Sequence, residues 1–347
     1  MAKISLLSHH FYPSIGGLES IAEMLAEAFT SAGHTVRLLT WTPSPTELER
    51  PYKVVRNPSF RQQLREYRWA DVILENNPCL RLAWPNIFVG KPTVVALNTW
   101  LLPPDGRLTY QGRVKQWWLG RAGQVIASSQ ALRQRCWPAA TIIGNPYQES
   151  QFRQLPGANN ARDFVFLGRL VSDKGVDQAV AALHQLTCHT DPALFGGRPP
   201  TLTIIGQGPE LGNLQQQVRA LGLEQQVQFS GPLRGQDLAR CLGEHRFLLV
   251  PSAWEEPFGI VALEGMACGC LPIVSDGGGL PDAAGPAGLQ FRRNDVDDLV
   301  ASIKQVLGNP ALEQRLRAAA PHHLAQHHPD QVARRYLDVL EAAMQRA

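Results

Sequence analysis

Long hydrophobic runs are missing from this chain of 347 residues, although 44% of its residues are hydrophobic. No stretch approaches the roughly 18 uninterrupted apolar residues that a membrane-spanning helix requires. The apolar part of the opening segment MAKISLLSHHFYPS is too short for a signal peptide and is typical of a buried strand. We therefore expect neither a transmembrane helix nor a signal peptide.

Cysteine is also scarce, and its placement argues against a disulfide framework. The 6 cysteines are scattered, and only Cys268 and Cys270 lie close together, at a spacing that matches no common zinc site. The chain also lacks internal repeats, low-complexity tracts and a P-loop. This composition favours a reduced protein in the cytoplasm or at the inner face of the membrane.

Charge is unevenly distributed, although the formal net charge is only +3. Residues 1–155 hold 17 Lys/Arg against 10 Asp/Glu, a balance of +7, whereas residues 156–347 hold 16 against 20, a balance of −4. The basic half could meet an anionic acceptor or a membrane surface, or it could carry ordinary surface charge. Both interpretations stay open, and no nucleic-acid partner is expected.

The segment YQGRVKQWWLGRAG raises the same question on a smaller scale. It combines Arg113, Lys115 and Arg121 with Trp117 and Trp118. A basic helix that carries tryptophans can lie on a membrane face. It can also bury its tryptophans in the core, which is the interpretation that we favour.

Short apolar runs alternate with amphipathic patterns along the whole chain, which predicts α/β units with parallel sheets. In the first half, strands are predicted at 3–8, 35–40, 71–76, 92–98, 124–129 and 141–145, and a helix at 18–33. In the second half, strands are predicted at 164–170, 201–206, 227–231, 247–252 and 271–276, and helices at 177–186, 210–221, from 259 onward and at 296–307. The predicted fold class is α/β, with two doubly wound, Rossmann-like domains.

A segment rich in Pro, Gly and Asn, QLPGANNARD (154–163), separates the two series. We predict an N-terminal domain over 1–155 and a C-terminal domain over 160–325. The last helix, about 329–347, is expected to pack back on the first domain. Ligands of such sheets bind beyond the carboxyl ends of the strands, so a cleft between two facing domains is the expected site.

Two loops at predicted strand ends carry residues suited to a phosphate group. PSIGGLES places Gly16 and Gly17 before the first helix, where an anion can approach the backbone, although a plain turn explains them equally well. FLGRLVSDKGVD places Arg169 and Lys174 five residues apart after a buried strand. Two cations at a strand end suit a diphosphate.

The segment EEPFGIVALEGMACGCLPIVSD sets two carboxylates, Glu256 and Glu264, eight residues apart. Between them, Gly259, Ile260 and Val261 would form a helix N-terminus whose amides can bind phosphate. Glu256 alone could simply complement the helix dipole. An acid at Glu264, inside an apolar helix, costs free energy unless something binds it.

Two further motifs look like metal sites, but we predict no bound metal. DVD (295–297) opens a helix, where Asn and Asp commonly serve as N-caps. PHHLAQHHPD (321–330) contains paired histidines, which we interpret as a surface cluster far from the other motifs.

In combination, GRLVSDKG and the acids Glu256 and Glu264 resemble the retaining glycosyltransferases of family 4, which have the GT-B architecture. The likeness covers nearly the whole chain and is strongest over 164–308. It implies transfer of a sugar from a UDP-, GDP- or ADP-sugar to a hydroxyl acceptor: a glycan, a lipid-linked saccharide or a small metabolite. It implies no further cofactor and no metal.

The resemblance also implies roles for single residues. Arg169 and Lys174 would hold the donor diphosphate and stabilise the charge that develops on it. Glu256 would contact the hydroxyls of the transferred sugar, Glu264 would bind the ribose, and the backbone near Gly231 would contact the base. In the implied front-face reaction, the departing phosphate oxygen helps to deprotonate the acceptor.

On the other side of the expected cleft, the resemblance implies that Gly16 and Gly17 lie near the donor phosphate and the acceptor. The family commonly has a histidine after the strand read as VVALN, where this chain has Asn98. Asn98 can orient a hydroxyl but cannot titrate near neutrality. His9 and His10, at the end of the first strand, are therefore expected to contact the acceptor, unless they are simply solvated.

Two other functions stay open. A non-catalytic nucleotide-sugar-binding protein would fit the loss of a histidine at Asn98. A nucleotide-sugar 2-epimerase would share the fold, but the paired acids together with GRLVSDKG argue against it.

Overall fold

Contacts between residues divide the chain, whose structure is a computed structural model, into two units. The structure describes residues 1–14, 16–46, 48–101, 109–156 and 160–346. Unit 1 comprises Met1–Pro146 and His327–Ala347, and unit 2 comprises Tyr147–Gln326. The chain thus enters unit 2 before the predicted boundary segment 154–163, of which residues 157–159 lie outside the described residues.

Unit 1 contains a seven-stranded sheet in which every pairing is parallel. Its strands are β1 (Lys3–Ser8), β2 (Thr35–Thr40), β3 (Lys53–Arg56), β4 (Val72–Asn76), β5 (Thr93–Leu97), β6 (Gln124–Ala127) and β7 (Thr141–Ile142). Its helices are α1 (Gly17–Ser31), α2 (Phe60–Trp69), α3 (Leu80–Ala83), the 3-10 helix Trp84–Phe88, α4 (Tyr110–Leu119), α5 (Gln130–Cys136) and, last in the chain, α13 (Pro329–Gln345). The strand order is β3-β2-β1-β4-β5-β6-β7.

Unit 2 repeats this plan with six parallel strands. Its strands are β8 (Arg162–Leu167), β9 (Leu202–Ile205), β10 (Val227–Gly231), β11 (His245–Val250), β12 (Leu271–Ser275) and β13 (Leu289–Phe291). Its helices are α6 (Val176–His189), α7 (Leu211–Ala220), α8 (Gly235–Gly243), α9 (Ile260–Ala267), α10 (Leu280–Ala284), α11 (Val296–Leu307) and α12 (Pro310–Gln326), with 3-10 helices at Ser172–Lys174, Pro192–Phe195 and Gly285–Ala287. The strand order is β10-β9-β8-β11-β12-β13.

Both sheets are doubly wound, which confirms the predicted fold class. The strand order reverses between β1 and β4 in unit 1, and between β8 and β11 in unit 2. The central strands are buried along their length because helices cover both faces, and this explains their continuous apolar runs. A reversal of strand order opens a crevice at the carboxyl edge, where ligands of such sheets bind.

The sequence prediction missed two short strands at the edges of the sheets. Strand β3 is only four residues long, and β13 only three. Neither provides a long enough apolar run to stand out from its surroundings. The other predicted strands are present with small shifts at their ends.

The interpretation of PHHLAQHHPD as a surface cluster is wrong for two of its histidines. His323 and His327 are buried, and their rings donate hydrogen bonds of 2.9 Å to the carbonyls of Ala283 and Asn145. Burial lowers the pKa of His323. These side chains therefore anchor the end of α12 and the start of α13, and only His322 and His328 reach solvent.

Of the two adjacent tryptophans of α4, one is packed in the core and the other is exposed. Trp118 is buried and donates from Nε1 to Oε1 of Glu75 at 2.7 Å, whereas Trp117 is 56% exposed. Glu75 also accepts from the amide of Cys79 at 2.8 Å. Burial raises the pKa of Glu75 to about 7, and the two donors oppose that shift. Across the part of the chain that the structure describes, no helix has the length and apolar character to span a membrane.

A Trp118→Phe substitution should destabilise the protein, because it removes one of the two donors to a fully buried carboxyl group. We expect a loss of about 1–3 kcal/mol in the free energy of unfolding. Urea denaturation followed by circular dichroism measures it. Trp117→Phe is the matched control, and it should change stability by less than about 0.5 kcal/mol. Equal effects of the two substitutions would contradict the role given to the Trp118–Glu75 hydrogen bond.

Candidate functional site

The carboxyl edge of the sheet in unit 2 brings together two loops of the predicted donor site and the loop after β12. Arg169 and Lys174 follow β8, Glu256 follows β11, and Gly278 follows β12. Strands β8 and β11 are the two neighbours at which the strand order reverses. The crevice expected at such a reversal therefore has Lys174 on one side and Glu256 on the other.

Backbone contacts hold the 3-10 turn Ser172–Lys174 against the segment after β11. The carbonyl of Asp173 accepts from the amides of Ala253 at 3.0 Å and Trp254 at 3.2 Å. Gly175 ends the turn with a φ of +67°, and a Cβ at this position would collide with the carbonyl oxygen of Pro251. Only glycine permits both this conformation and this approach.

The docked turn places Lys174 and Glu256 in direct contact. Lys174 Nζ donates to Glu256 Oε1, although the two residues are 82 positions apart. Ser252 donates to the same oxygen from its hydroxyl at 2.9 Å. The side chains of Lys174 and Glu256 are 23% and 12% exposed, so the pair is shielded but reaches the surface. A partly desolvated ion pair of this kind is stronger than one in open water.

The backbone of Glu256 is fixed by the glycines after β12. Glu256 and Gly278 form an isolated parallel bridge, and the amide of Gly279 donates to the carbonyl of Glu256 at 2.7 Å. The carboxylate therefore projects from a backbone that is held on both sides, by the turn after β8 and by the loop after β12.

Helix α9 begins immediately after this segment. Gly259 precedes the helix with a φ of +99°, a left-handed conformation that strains other residues. Ile260 and Val261 form the first turn, and Gly259 provides no side-chain cap. The first amides of a helix lack intrahelical acceptors, so this end presents donors beside the Lys174–Glu256 pair.

Glu264 lies in the second turn of α9 among apolar neighbours, as the sequence indicated. Burial raises the pKa of its carboxyl to about 7, even though part of the side chain reaches solvent. None of the hydrogen bonds or ion pairs formed by the described residues involves this carboxyl group. It thus differs from Glu75, whose carboxyl accepts two hydrogen bonds.

The remaining predicted donor residues lie at the same edge without direct contacts to this pair. Arg169 is exposed, and no ion pair involves its guanidinium among the residues that the structure describes. Gly231 ends β10, the edge strand, and its carbonyl accepts from the amide of Gly206 at 3.0 Å. Strand β9 separates β10 from β8, so Gly231 lies farther along the edge than Lys174.

Two functional candidates escaped the sequence analysis. Ser252 supports Glu256 and is recognisable only as a hydroxyl residue four positions before the acid. Arg293 lies 3.3 Å from Glu255, which is therefore ion-paired. The Arg293 amide also donates to Asp276 at 2.9 Å. Arg293 follows β13. Because that strand was not predicted, the position of Arg293 at the carboxyl edge was not predicted either.

Unit 1 places His9 and His10 directly after β1, at the reversal of its strand order. Their rings meet edge to face, with centroids 4.6 Å apart. His10 is exposed, while His9 is partly buried. Burial, together with the nearby His10 and Arg81, lowers the pKa of His9, which favours a neutral imidazole.

Asn98 follows β5 and is part of a buried asparagine network. Its Nδ2 donates to Asn76 Oδ1 at 3.0 Å, and its amide donates to Asn77 Oδ1 at 3.0 Å. Asn76 continues the network to the hydroxyl of Ser8 at 3.3 Å. Asn98 Oδ1 is buried without a hydrogen-bond partner in the described part of the chain, so it remains available as an acceptor.

Gly16 and Gly17 form the start of α1, with Gly16 as the N-cap in an extended conformation. A Cβ on Gly16 would contact Glu19 Oε2 at 2.6 Å. The carboxylate of Glu19 thus already lies at this helix N-terminus, and an anion bound at Gly16 would meet its negative charge.

The DVD motif is a helix cap, as expected. Asp295 is the N-cap of α11, and its carboxylate accepts from the amide of Asp298 at 2.9 Å. Across the residues that the structure describes, no cluster of three or more His, Cys, Asp or Glu residues is arranged to hold a metal ion.

The fold is that of the GT-B glycosyltransferases. The structure of Anabaena Alr3699/HepE in complex with UDP aligns with a TM-score of 0.81 at 20% identity, covering 99% of this chain and 100% of that one. Sucrose-phosphate synthase from Thermosynechococcus elongatus aligns with a TM-score of 0.78 at 20% identity, covering 100% of both chains. Likeness at this level of identity concerns the fold alone.

The match to a sequence family lies in unit 2. The family described as glycosyl transferases group 1 matches residues 148–323, about half of the chain and nearly all of unit 2. This chain belongs to that family.

Curated relatives match about half of the chain. Glycogen synthase of Mycobacterium tuberculosis is 36% identical over 164 residues, 47% of this chain and 38% of that protein. D-inositol 3-phosphate glycosyltransferase of Jonesia denitrificans is 35% identical over 185 residues, 51% of this chain and 42% of that protein. The match thus spans about two-fifths of the length of each of these relatives.

Stability should depend on pH through Glu264. The folded-state pKa of about 7 exceeds the ordinary value of 4.5, so the folded protein binds the extra proton between these pH values. Stability contributed by the neutral carboxyl is therefore present below pH 4.5 and is lost as the pH rises towards 7. Glu264→Gln, which is neutral throughout, should gain about 1–3 kcal/mol relative to the wild type between pH 4.5 and pH 8.

Urea denaturation at several pH values measures this difference in the free energy of unfolding. Glu224→Gln, at an exposed position in unit 2, is the matched control and should leave the pH dependence unchanged. Parallel pH profiles for the wild type and Glu264→Gln would show that the carboxyl of Glu264 titrates normally.

Proposed function

We propose that this protein is a retaining glycosyltransferase of family 4. In this proposal it moves a hexosyl or related sugar from a nucleoside diphosphate sugar to a hydroxyl acceptor, with no bound metal and no other cofactor. The acceptor is a glycan, a lipid-linked saccharide or a small metabolite. Its six free cysteines suit the reducing cytoplasm, which is the proposed location.

The ion pair between Lys174 and Glu256 is the observation that carries the proposal. It lies at the reversal of strand order, beside the uncapped start of α9, within the segment that matches the family. A cation, free helix amides and a carboxylate suit the diphosphate and the sugar of one donor molecule. An ion pair with a purely structural role would not explain the free amides at the start of α9 or the carboxyl of Glu264, which has no partner among the described residues.

The proposed reaction breaks the bond between the anomeric carbon and the diphosphate oxygen on the face that the acceptor attacks. The acceptor hydroxyl forms the new bond to the anomeric carbon, and its proton passes to the departing phosphate oxygen. Lys174 and Arg169 stabilise the negative charge that accumulates on the leaving diphosphate. Glu256 accepts hydrogen bonds from the sugar hydroxyls while Lys174 remains close to the phosphate.

Glu264 is proposed to accept hydrogen bonds from the ribose, and the backbone at Gly231 to contact the base. An unpartnered carboxyl with a raised pKa gains a partner when a ribose hydroxyl donates to it. A solved neighbour, Anabaena Alr3699/HepE, is known in complex with UDP and glucose, which supports a nucleoside diphosphate as the ligand. We propose UDP, GDP or ADP as the nucleotide.

The acceptor is proposed to contact His9, His10 and Asn98 in unit 1, near Gly16 and Gly17. The partnerless Asn98 Oδ1 can accept from a sugar hydroxyl, and a neutral His9 can either donate or accept. Neither residue has to act as a base in this scheme, because the leaving phosphate takes the proton.

Substitution of the ion pair should abolish most turnover. With a panel of UDP-, GDP- and ADP-sugars and saccharide acceptors, the wild type should release nucleoside diphosphate and form a product with the donor's anomeric configuration. Lys174→Ala and Glu256→Gln should each lower kcat about 100- to 1000-fold, because each loses a group aimed at the transition state. Coupled assays for nucleoside diphosphate and NMR of the product provide the measurements.

Asp237→Asn is the control for these variants, since Asp237 forms an exposed ion pair with Arg240 in the same unit. It should leave kcat unchanged. Unchanged turnover in Lys174→Ala would refute the assignment of the site. Donor binding without turnover on any acceptor would support a non-catalytic binding protein, and a donor whose sugar is inverted at C2 would support an epimerase.

Binding of the nucleotide should strengthen as Glu264 ionises. The ionised fraction rises from about a tenth at pH 6 to about nine-tenths at pH 8 for a pKa of about 7. We expect the affinity for the best-binding nucleoside diphosphate to rise about 3- to 10-fold more in the wild type than in Glu264→Gln. Isothermal titration calorimetry at both pH values measures this difference. An equal rise in both proteins would assign the pH effect to the phosphate group and not to Glu264.

A further inference from the structure

One face of unit 1 exposes an unusual concentration of large apolar side chains. The exposed residues are Phe60 (45%), Trp84 (44%), Ile87 (47%), Phe88 (67%), Tyr110 (82%) and Trp117 (56%). They come from α2, the 3-10 helix Trp84–Phe88 and α4. We call these six residues the aromatic face. Scattered single exposures are common on soluble proteins, whereas a contiguous group marks an interaction surface.

The side chains of the aromatic face are grouped by contact. The rings of Phe60 and Trp84 stack with centroids 5.3 Å apart, and Phe88 meets both rings edge to face at 6.1 and 6.0 Å. Trp117 and Ile87 line an open groove together with Phe60 and Trp84. All of the group except Tyr110 therefore forms one continuous apolar surface.

Helix α4 shows how this surface combines apolar and cationic groups. Tyr110, Arg113 and Trp117 lie at i, i+3 and i+7, on one exposed side of the helix, and Arg121 follows in the same direction. The guanidinium of Arg121 lies 5.3 Å from the ring centroid of Trp117. Trp118, the next residue along the helix, is buried and lines the floor of the same groove.

The charge on these elements has a single sign at the surface. Their cationic residues, all wholly or partly exposed, are Arg61, Arg65, Arg68, Arg113 and Lys115. Their one acid, Glu66, is only 1% exposed and pairs with Arg37 at 2.6 Å. Among the described residues of these three elements, the charge that reaches the surface around the aromatic face is therefore cationic.

We propose that the aromatic face docks on an anionic lipid membrane. Aromatic rings prefer the boundary between headgroups and acyl chains, and adjacent cations attract acidic headgroups. Arginine and lysine can rest their stems on the apolar surface while their charges reach the phosphates. This proposal goes beyond the proposed sugar transfer and does not depend on it.

A second copy of the chain suits this face less well. A two-fold contact would place the same patch against itself and so bring the five cations of one copy towards those of the other. Like charges of that number oppose association, whereas an anionic bilayer neutralises them. The charge on the face thus favours lipid over self-association.

Sedimentation with lipid vesicles tests the proposal. The full-length protein is mixed with vesicles of phosphatidylcholine alone or of phosphatidylcholine and phosphatidylglycerol in equal parts, at 50 and 500 mM salt. We expect at least a tenfold preference for the anionic vesicles at low salt and a marked loss at high salt. Trp117→Ala combined with Phe88→Ala should weaken binding about tenfold or more, as should Arg113→Glu combined with Lys115→Glu.

Two control variants carry the same kinds of change at exposed positions of unit 1 outside the aromatic face. Leu48→Ala, at a side chain 47% exposed, controls for lost apolar surface, and Arg334→Glu controls for reversed charge. Both should bind like the wild type, and circular dichroism confirms that every variant is folded. No binding, equal binding to both vesicle types, or equal losses in the controls would overturn the proposal. A dimer in light scattering that the aromatic substitutions abolish would assign the face to a second copy instead.

Discussion

The geometry of the candidate site in unit 2 depends on the two amides that donate to the carbonyl of Asp173. Without these bonds, only the sheet and the Lys174–Glu256 ion pair would join the loops after β8 and β11. These bonds, together with the close approach of Gly175 to Pro251, fix the backbone on both sides of the crevice. Lys174 and Glu256 then meet without having to hold the loops together themselves. The chemical groups are thus positioned by backbone contacts, and the side chains are left to bind and react.

Two carboxyl groups with the same raised pKa have opposite meanings in this protein. Burial raises the pKa of both Glu75 and Glu264 to about 7, although only Glu75 is wholly shielded from solvent. Glu75 accepts hydrogen bonds from Trp118 and the amide of Cys79, and these bonds offset the free energy that is lost when its carboxyl group is buried. Glu264 has no such donors among the residues described. A raised pKa therefore indicates a binding function only where the hydrogen-bonding capacity of the group is unmet.

Much of the architecture could be predicted from local patterns, because buried parallel strands need continuous apolar runs. The ends of β1, β2, β10 and α11 match the prediction to the residue. Local sequence patterns do not show which distant segments of the chain are in contact. The sequence placed Lys174 and Glu256 at one edge but did not predict their ion pair. It placed His323 and His327 on the surface because it does not show the carbonyls of Ala283 and Asn145 to which their rings donate. Arg293 was missed because β13 is too short to be recognised.

The division of the chain gives unit 1 two separate parts, Met1–Pro146 and His327–Ala347. Helix α13 packs against α1 and against strands β4, β5 and β6. The first unit thus cannot finish its hydrophobic core until the last residues of the chain have been synthesised, even though its strands emerge first. Unit 2, by contrast, is one uninterrupted stretch and can fold while the chain is still growing. The order of synthesis and the order of completion are therefore reversed, and a truncation near the carboxyl terminus would damage the unit that lies first in the sequence.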